Sequence, residues 1–136
     1  MIRVMTIEDY DEVYKLWKKI RGFGIRSIDD SKEGVERFLR RNPTTSFVAV
    51  NDGRQGSLYH VCVDEAYRRH GIGKDMVVHT MKALQAEKIN KVCLIAFAQN
   101  NVGNAFWNTI GWTERLDVNY YDFILNEENI TAFNEQ

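Results

Sequence analysis

Apolar residues recur at steps of three and four over Tyr10 to Ile20, where Tyr10, Val13, Tyr14, Trp17 and Ile20 share one side of an amphipathic helix. The same spacing over Ile72 to about Glu87, carried by Ile72, Met76, Val77, Met81 and Leu84, predicts a longer helix. Asp30 with Glu33 predicts a capping box opening a helix that runs to about Arg41, and Asn104 to Ile110 reads as a short helix ended by Gly111. Elsewhere the apolar residues run together as strands do: "IRVM" (2–5), "FVAV" (47–50), "LYHVCV" (58–63), "KVCLIAFA" (91–98) and "NYYDFIL" (119–125). "RGFGIRSIDD" (21–30) breaks the pattern with its glycines, placing Phe23, Ile25 and Ile28 on a loop. Helices and strands interleave throughout, so the fold class is mixed α/β.

A chain of 136 residues, 44% hydrophobic, suits one well-cored domain spanning 1–136. With 18 basic against 19 acidic residues its formal charge is -1, which argues against a nucleic-acid or polybasic membrane partner. The longest apolar run, "VCLIAFA", is far short of a membrane span, and the expected setting is the cytoplasm, with room for a homodimer. Cys62 and Cys93 sit in apolar runs with no CxxC spacing and no histidine cluster, the pattern of reduced buried thiols; no metal site is expected.

Any anion site must then be local, and "YRRHGIGKDM" (67–76) is where one is legible. Gly71 and Gly73 stand where a strand turns into a helix, so unpaired N–H groups point outward, ligand can approach bare backbone, and the helix dipole favours negative charge. Arg68, Arg69, His70 and Lys74 surround that turn, a combination suited to a pyrophosphate. Neither G-x-x-x-x-G-K-[ST] nor G-x-G-x-x-G occurs.

"RRHGIG" matches the [QR]-x-x-G-x-[GA] signature of the GNAT superfamily of N-acetyltransferases, and the likeness extends further. "LYHVCVDEAYRRHGIGKDMVVHTMKAL" resembles that family's central strand and following helix, "NNVGNAFWNTIGW" its N-x-x-A-x-x-F-Y-x-x-x-G-[FW] segment, and "SKEGVERFLRRNPTTSFVAV" the upstream part of small bacterial-type members. The resemblance implies a mostly antiparallel central sheet flanked by helices. It also implies transfer of an acetyl group from acetyl-coenzyme A to a primary amine, on a small molecule or a peptide, without a metal. Arg68, Arg69, His70, Gly71, Ile72, Gly73 and Lys74 would cradle the phosphates through backbone N–H groups. The backbone of Val61, Cys62 and Val63 would pair with the pantetheine arm, with a free N–H there to polarise the thioester oxygen. Asn100 aligns with an asparagine that contacts the coenzyme, and locally it also reads as a turn residue. Gly103 stands where alanine is usual.

Direct attack on the thioester needs a neutral amine, hence a base. His60 is the candidate, since it lies two residues before Cys62 on the same strand face and an imidazole's ordinary pKa of roughly 6.5 suits the task. Asp64 and Glu65 are alternatives, and nothing marks Cys62 as a nucleophile. Trp107 occupies the position where the resemblance implies a tyrosine that protonates the departing thiolate, a step indole cannot perform, and it is expected to pack beside the coenzyme instead. Tyr120 or Tyr121 are the candidates to replace it. This departure keeps a second reading open, a catalytically weak or inactive acyl-coenzyme A binding domain.

A further departure lies in "FVAVNDGRQGSLYHVCV", where the family has an entire strand between "FVAV" and "LYHVCV". Asn51 to Ser57 is too short for a parallel connection, which normally takes a dozen residues or more. Either the two strands form an antiparallel hairpin, or the usual strand is absent between residues 50 and 58 and its place is empty or otherwise filled. The second is the expectation here, because it leaves the central strand's partners undisturbed.

Overall fold

The computed structural model describes residues 2–43, 49–51 and 53–134, with only the backbone of 49–51. "IRVM" is not a strand: Arg3 forks onto the Asp9 carboxylate and Asp9 Oδ2 accepts the Thr6 N–H at 2.9 Å, which curls the chain into the single turn Ile7–Asp9. Helix α1 (Tyr10–Lys19) follows as the periodicity predicts, with Trp17 its buried anchor and Lys18 and Lys19 at the end that favours cations.

The stretch expected to be a loop contains strand β1 (Gly24–Arg26), which pairs antiparallel with the last strand, β5 (Thr131–Phe133). "NYYDFIL", the expected last strand, has no ladder, and Tyr121, Phe123 and Leu125 stand exposed. Strand propensity needs a free edge to pair with, and the edge of β1 is taken by 131–133. A side chain on Gly24 would lie 3.0 Å from the Phe133 ring, so glycine lets the two strands close. Helix α2 (Lys32–Arg41) is capped one residue later than expected, by Ser31, whose Oγ accepts the Gly34 N–H at 3.1 Å.

Strands β2 (Ala49–Asn51) and β3 (Gly56–Leu58) form an antiparallel hairpin, Val50 opposite Ser57, turned through Gly53 at φ 86°. No strand lies between them among the described residues, but the expectation that the remaining strands would keep their directions is overturned. A connection this short returns the chain on itself, and it does so. Phe47 and Val48 lie outside the described residues. The ladder ends at Leu58 because His60 has φ 52°, a left-handed conformation that cannot continue a strand.

From β3 the chain passes the single turn Glu65–Tyr67 into helix α3 (Ile72–Ala86) and returns as β4 (Val92–Leu94), parallel to β3. β4 is shorter and less covered than predicted, with Ile95 and Phe97 exposed. Leu58, Leu84 and Ile89 form the buried centre, packed by Val61, Val92, Leu94, Trp107 and Trp112. β3 approaches α3 closely: a Cβ on Gly56 would meet Leu84 at 3.0 Å. Helix α4 (Asn101–Thr109) then ends before Gly111, at φ 94°.

Candidate active site

Helix α3 begins without a side-chain cap. Its first internal bond is Asp75 N–H to the Gly71 carbonyl at 3.0 Å, so the N–H groups of Ile72, Gly73 and Lys74 are left unpaired at the positive end of a four-turn helix. Gly71 holds φ 78°, and a Cβ built on it meets nothing within 4 Å. That open space above bare donors is what an anion requires. Gly73 is seated differently: its Cβ would lie 3.4 Å from the Phe106 ring and 3.6 Å from Val63, so α4 packs against the first turn of α3 there. Around the turn, Arg68 Nε bonds the Val63 carbonyl at 3.0 Å and His70 Nδ1 lies 3.2 Å from the Tyr67 carbonyl. Arg69 and Lys74 are exposed. The seven predicted cradle residues, Arg68 to Lys74, are thus brought together on one exposed turn.

A cleft of about 1080 Å³ opens beside it, between α1, α2, the hairpin and the start of α3, with Trp17, Phe38, Tyr59, His60, Cys62 and Ile72 on its walls. Val61, Cys62 and Val63 run from β3 to the α3 turn outside any ladder among the described residues, and of their backbone groups the Val63 carbonyl is taken by Arg68. His60 and Cys62 lie outside any strand, so the predicted alternation does not set their facing; His60 is left-handed at φ 52°, and both residues line the cleft. The ring packs against Trp17 and Phe23, and Nε2 lies 2.8 Å from Asp30 Oδ1. Burial pushes the Cys62 thiol up to about 11, with Arg68 opposing weakly, so at neutral pH it stays a thiol and no nucleophile. Asp64 is occupied: the Ala66 N–H and the Lys19 ammonium hold its carboxyl below the usual range, a capping role rather than that of a base.

The remaining candidates lie apart. Asn100 Oδ1 accepts the Gly103 N–H at 3.0 Å, so the side chain caps α4. Gly103 is what permits this, since a Cβ there would stand 2.5 Å from Asn100 Nδ2. Trp107 packs onto the core and lies 5.0 Å from the Trp112 ring. Tyr120 and Tyr121 are 67% and 86% exposed on irregular chain; Tyr120 reaches the cleft wall and Tyr121 does not. Sequence reasoning missed Asp30 as a partner of His60, and Phe106 as the residue that seats Gly73. Among the described residues no group of His, Cys, Asp and Glu is placed to hold a metal ion, and no helix is long and apolar enough to cross a membrane.

The model of the acetyltransferase (GNAT) family matches residues 19–112. An acetyltransferase of Yersinia pestis (strain Pestoides F) is 28% identical over 136 residues, covering 91% of each chain. One of Pectobacterium atrosepticum is 27% identical over 135 residues, covering 90% of each. Among solved structures, the PaiA N-acetyltransferase of Thermoplasma acidophilum in complex with coenzyme A aligns with a TM-score of 0.70 at 15% identity, covering 100% of this chain and 98% of its own. An acetyltransferase of Trypanosoma brucei aligns with a TM-score of 0.60 at 19% identity, over 89% of this chain and 97% of its own. At those identities the two structures speak to the fold, and the family match covers most of the chain. The chain belongs to the GNAT acetyltransferase family.

Proposed function

We propose that the protein is an N-acetyltransferase that moves an acetyl group from acetyl-coenzyme A to an amine by direct attack on the thioester. The observation that carries this is the uncapped start of α3, where three free N–H groups meet open space above Gly71 and a ring of basic side chains. Coenzyme bound there supplies an activated acetyl carbonyl and a thiolate leaving group. The turn from Arg68 to Lys74 would hold the pyrophosphate, and the backbone of Val61 to Val63, outside any ladder among the described residues, would align the pantetheine arm toward the cleft. Neither Trp107, turned into the core, nor the exposed Tyr121 offers a proton to the sulfur. A thiol's ordinary pKa of roughly 8.5 makes the thiolate able to leave unassisted.

The position of Trp107 favours one second reading, a domain that binds acyl-coenzyme A with little or no turnover. A screen of amines for free-thiol release from acetyl-coenzyme A, with coenzyme binding measured in parallel by calorimetry, separates the two. Binding with turnover supports transfer, binding alone supports the second reading, and absence of binding removes both.

A further inference from the structure

His60 is held more firmly than packing requires. Its ring sits 4.9 Å from Trp17 and 4.6 Å from Phe23, centroid to centroid, on the wall of the cleft. Asp30, only 5% exposed, faces Nε2 at 2.8 Å through Oδ1. Its other oxygen accepts the Arg26 N–H at 2.6 Å, and its carbonyl accepts the Tyr10 hydroxyl at 2.8 Å. The carboxylate is therefore fixed from both sides. Because a carboxylate accepts and does not donate, Nε2 carries the proton of the neutral ring, which puts that ring's lone pair on Nδ1. Among the described residues Nδ1 has no partner and no buried side-chain nitrogen or oxygen lacks one, so Nδ1 is open rather than sealed in the wall.

The geometry points to a proton relay in which His60 Nδ1 takes the proton of the acceptor amine and Asp30 is its positioning residue, fixing the tautomer and stabilising the imidazolium. This rests on the transfer reading above. An acceptor ammonium gives one proton to Nδ1, and the freed nitrogen pair forms the N–C bond as the C–S bond breaks with its electrons on sulfur. The second amine proton passes through water to the thiolate, and His60 returns its proton to solvent.

Among the described residues, the charged and titratable groups on the packed elements leave no competing partner for the ring. α1 presents Tyr10, bonded to Asp30, and the loop after β1 presents Asp29, held by Asn129 at 2.8 Å. Arg26, Arg37 and Arg41 line the same cleft as cations. Cys62 stays a thiol in the neutral range.

The test compares His60→Gln, which keeps a donor for Asp30 but has no base, with Asp30→Asn, each checked for folding by thermal melt and for coenzyme affinity. On an amine the parent acetylates, His60→Gln should lower kcat about 10²-fold or more with coenzyme affinity unchanged. Asp30→Asn should lower kcat about tenfold or more and move the ring proton of His60 toward Nδ1 in nitrogen NMR, which a merely structural tie would not do. Nitrogen NMR of the parent should show Nε2 protonated and Nδ1 bare. If Asp30→Asn does not fold, His60→Gln and the NMR tautomer decide. Full activity in His60→Gln, or a proton on Nδ1, overturns the relay and leaves the transfer reading standing. A parent that acetylates no amine overturns both.

Discussion

From Gly56 to Trp112 the elements that would hold the coenzyme cover one another: β3, α3 and β4 share the Leu58, Leu84 and Ile89 centre, and α4 closes onto the first turn of α3 through Phe106. The side that would receive the acceptor is assembled otherwise. Tyr59, His60, Cys62 and Ile72 form part of its walls, but most of them come from the first 42 residues, and these are tied by the chain's far end: β1 pairs with β5, Asn129 Oδ1 accepts the N–H groups of Ile28 and Asp29, and Asn134 Nδ2 donates to the Trp17 and Ile20 carbonyls. The first half is held by apolar burial, while the second joins its buried Trp17 and Val35 to polar ties across about a hundred residues of sequence. Burial resists single changes in its rim and fails at its centre, whereas polar ties fail one at a time, so the two halves should respond to mutation in different ways.

The largest effect should come from the centre of the first half. Leu84 is 1% exposed and touches β3 at Gly56. Leu84→Ala removes transfer energy and leaves a cavity, a loss of about 2–5 kcal/mol read from the denaturant midpoint, and it should take coenzyme affinity with it. A loss under about 1 kcal/mol would mean that this centre does not support the α3 turn.

Next is the turn itself. Gly71→Val fills the open space above the free N–H groups, and it forces a branched residue to φ 78° at a cost of about 1–2 kcal/mol. Coenzyme affinity should fall about tenfold to a hundredfold by calorimetry, while Gly73→Ala, whose Cβ meets Phe106 at ordinary contact distance, should change it much less. Equal affinities for the two variants would place the anion elsewhere.

The same division explains what was legible in the sequence. α3, the end of α4 at Gly111 and the basic glycine turn are local features, and each is found where periodicity and motif put it. What was lost depended on partners remote in sequence. β1 looked like a loop because its ladder partner lies about a hundred residues on. Asp30 looked like a helix cap because nothing in "SIDD" announces a histidine thirty positions later. The hairpin at Gly53 was one of two readings of the same short connection, and only the pairing itself chose between them. The backbone of His60 was not legible at all, since a left-handed residue inside an apolar run leaves no trace in an alternation count.

On the side that would receive the acceptor the sharpest single tie is Asn129. Asn129→Ala frees two backbone N–H groups, one of them part-buried, and releases Asp29, for a loss of about 1–2 kcal/mol. Coenzyme affinity should hold while kcat/KM for the acceptor falls. A matched loss of coenzyme affinity would show that the halves are one cooperative unit and dissolve the comparison.

The smallest effect concerns acid. Asp9 is held well below the usual carboxylate range, first by the Arg3 guanidinium at 2.6 Å and then by the Thr6 N–H. A carboxyl depressed in the folded state contributes stability that is complete above its unfolded value of about 3.9 and is lost as pH falls toward the folded one. Between pH 4 and pH 2 the parent should therefore lose melting temperature that Asp9→Asn does not lose, because the variant has no proton to take up there. The pair is exposed on the Arg3 side, so the difference should be only about 2 °C, and 0.5 M salt should shrink it without abolishing it. The residue that survives salt is the Thr6 tie, a hydrogen bond to backbone that ions do not screen. If salt removes the whole difference, the ion pair alone acts on Asp9, and the turn that carries the chain into α1 is set by something other than this carboxylate.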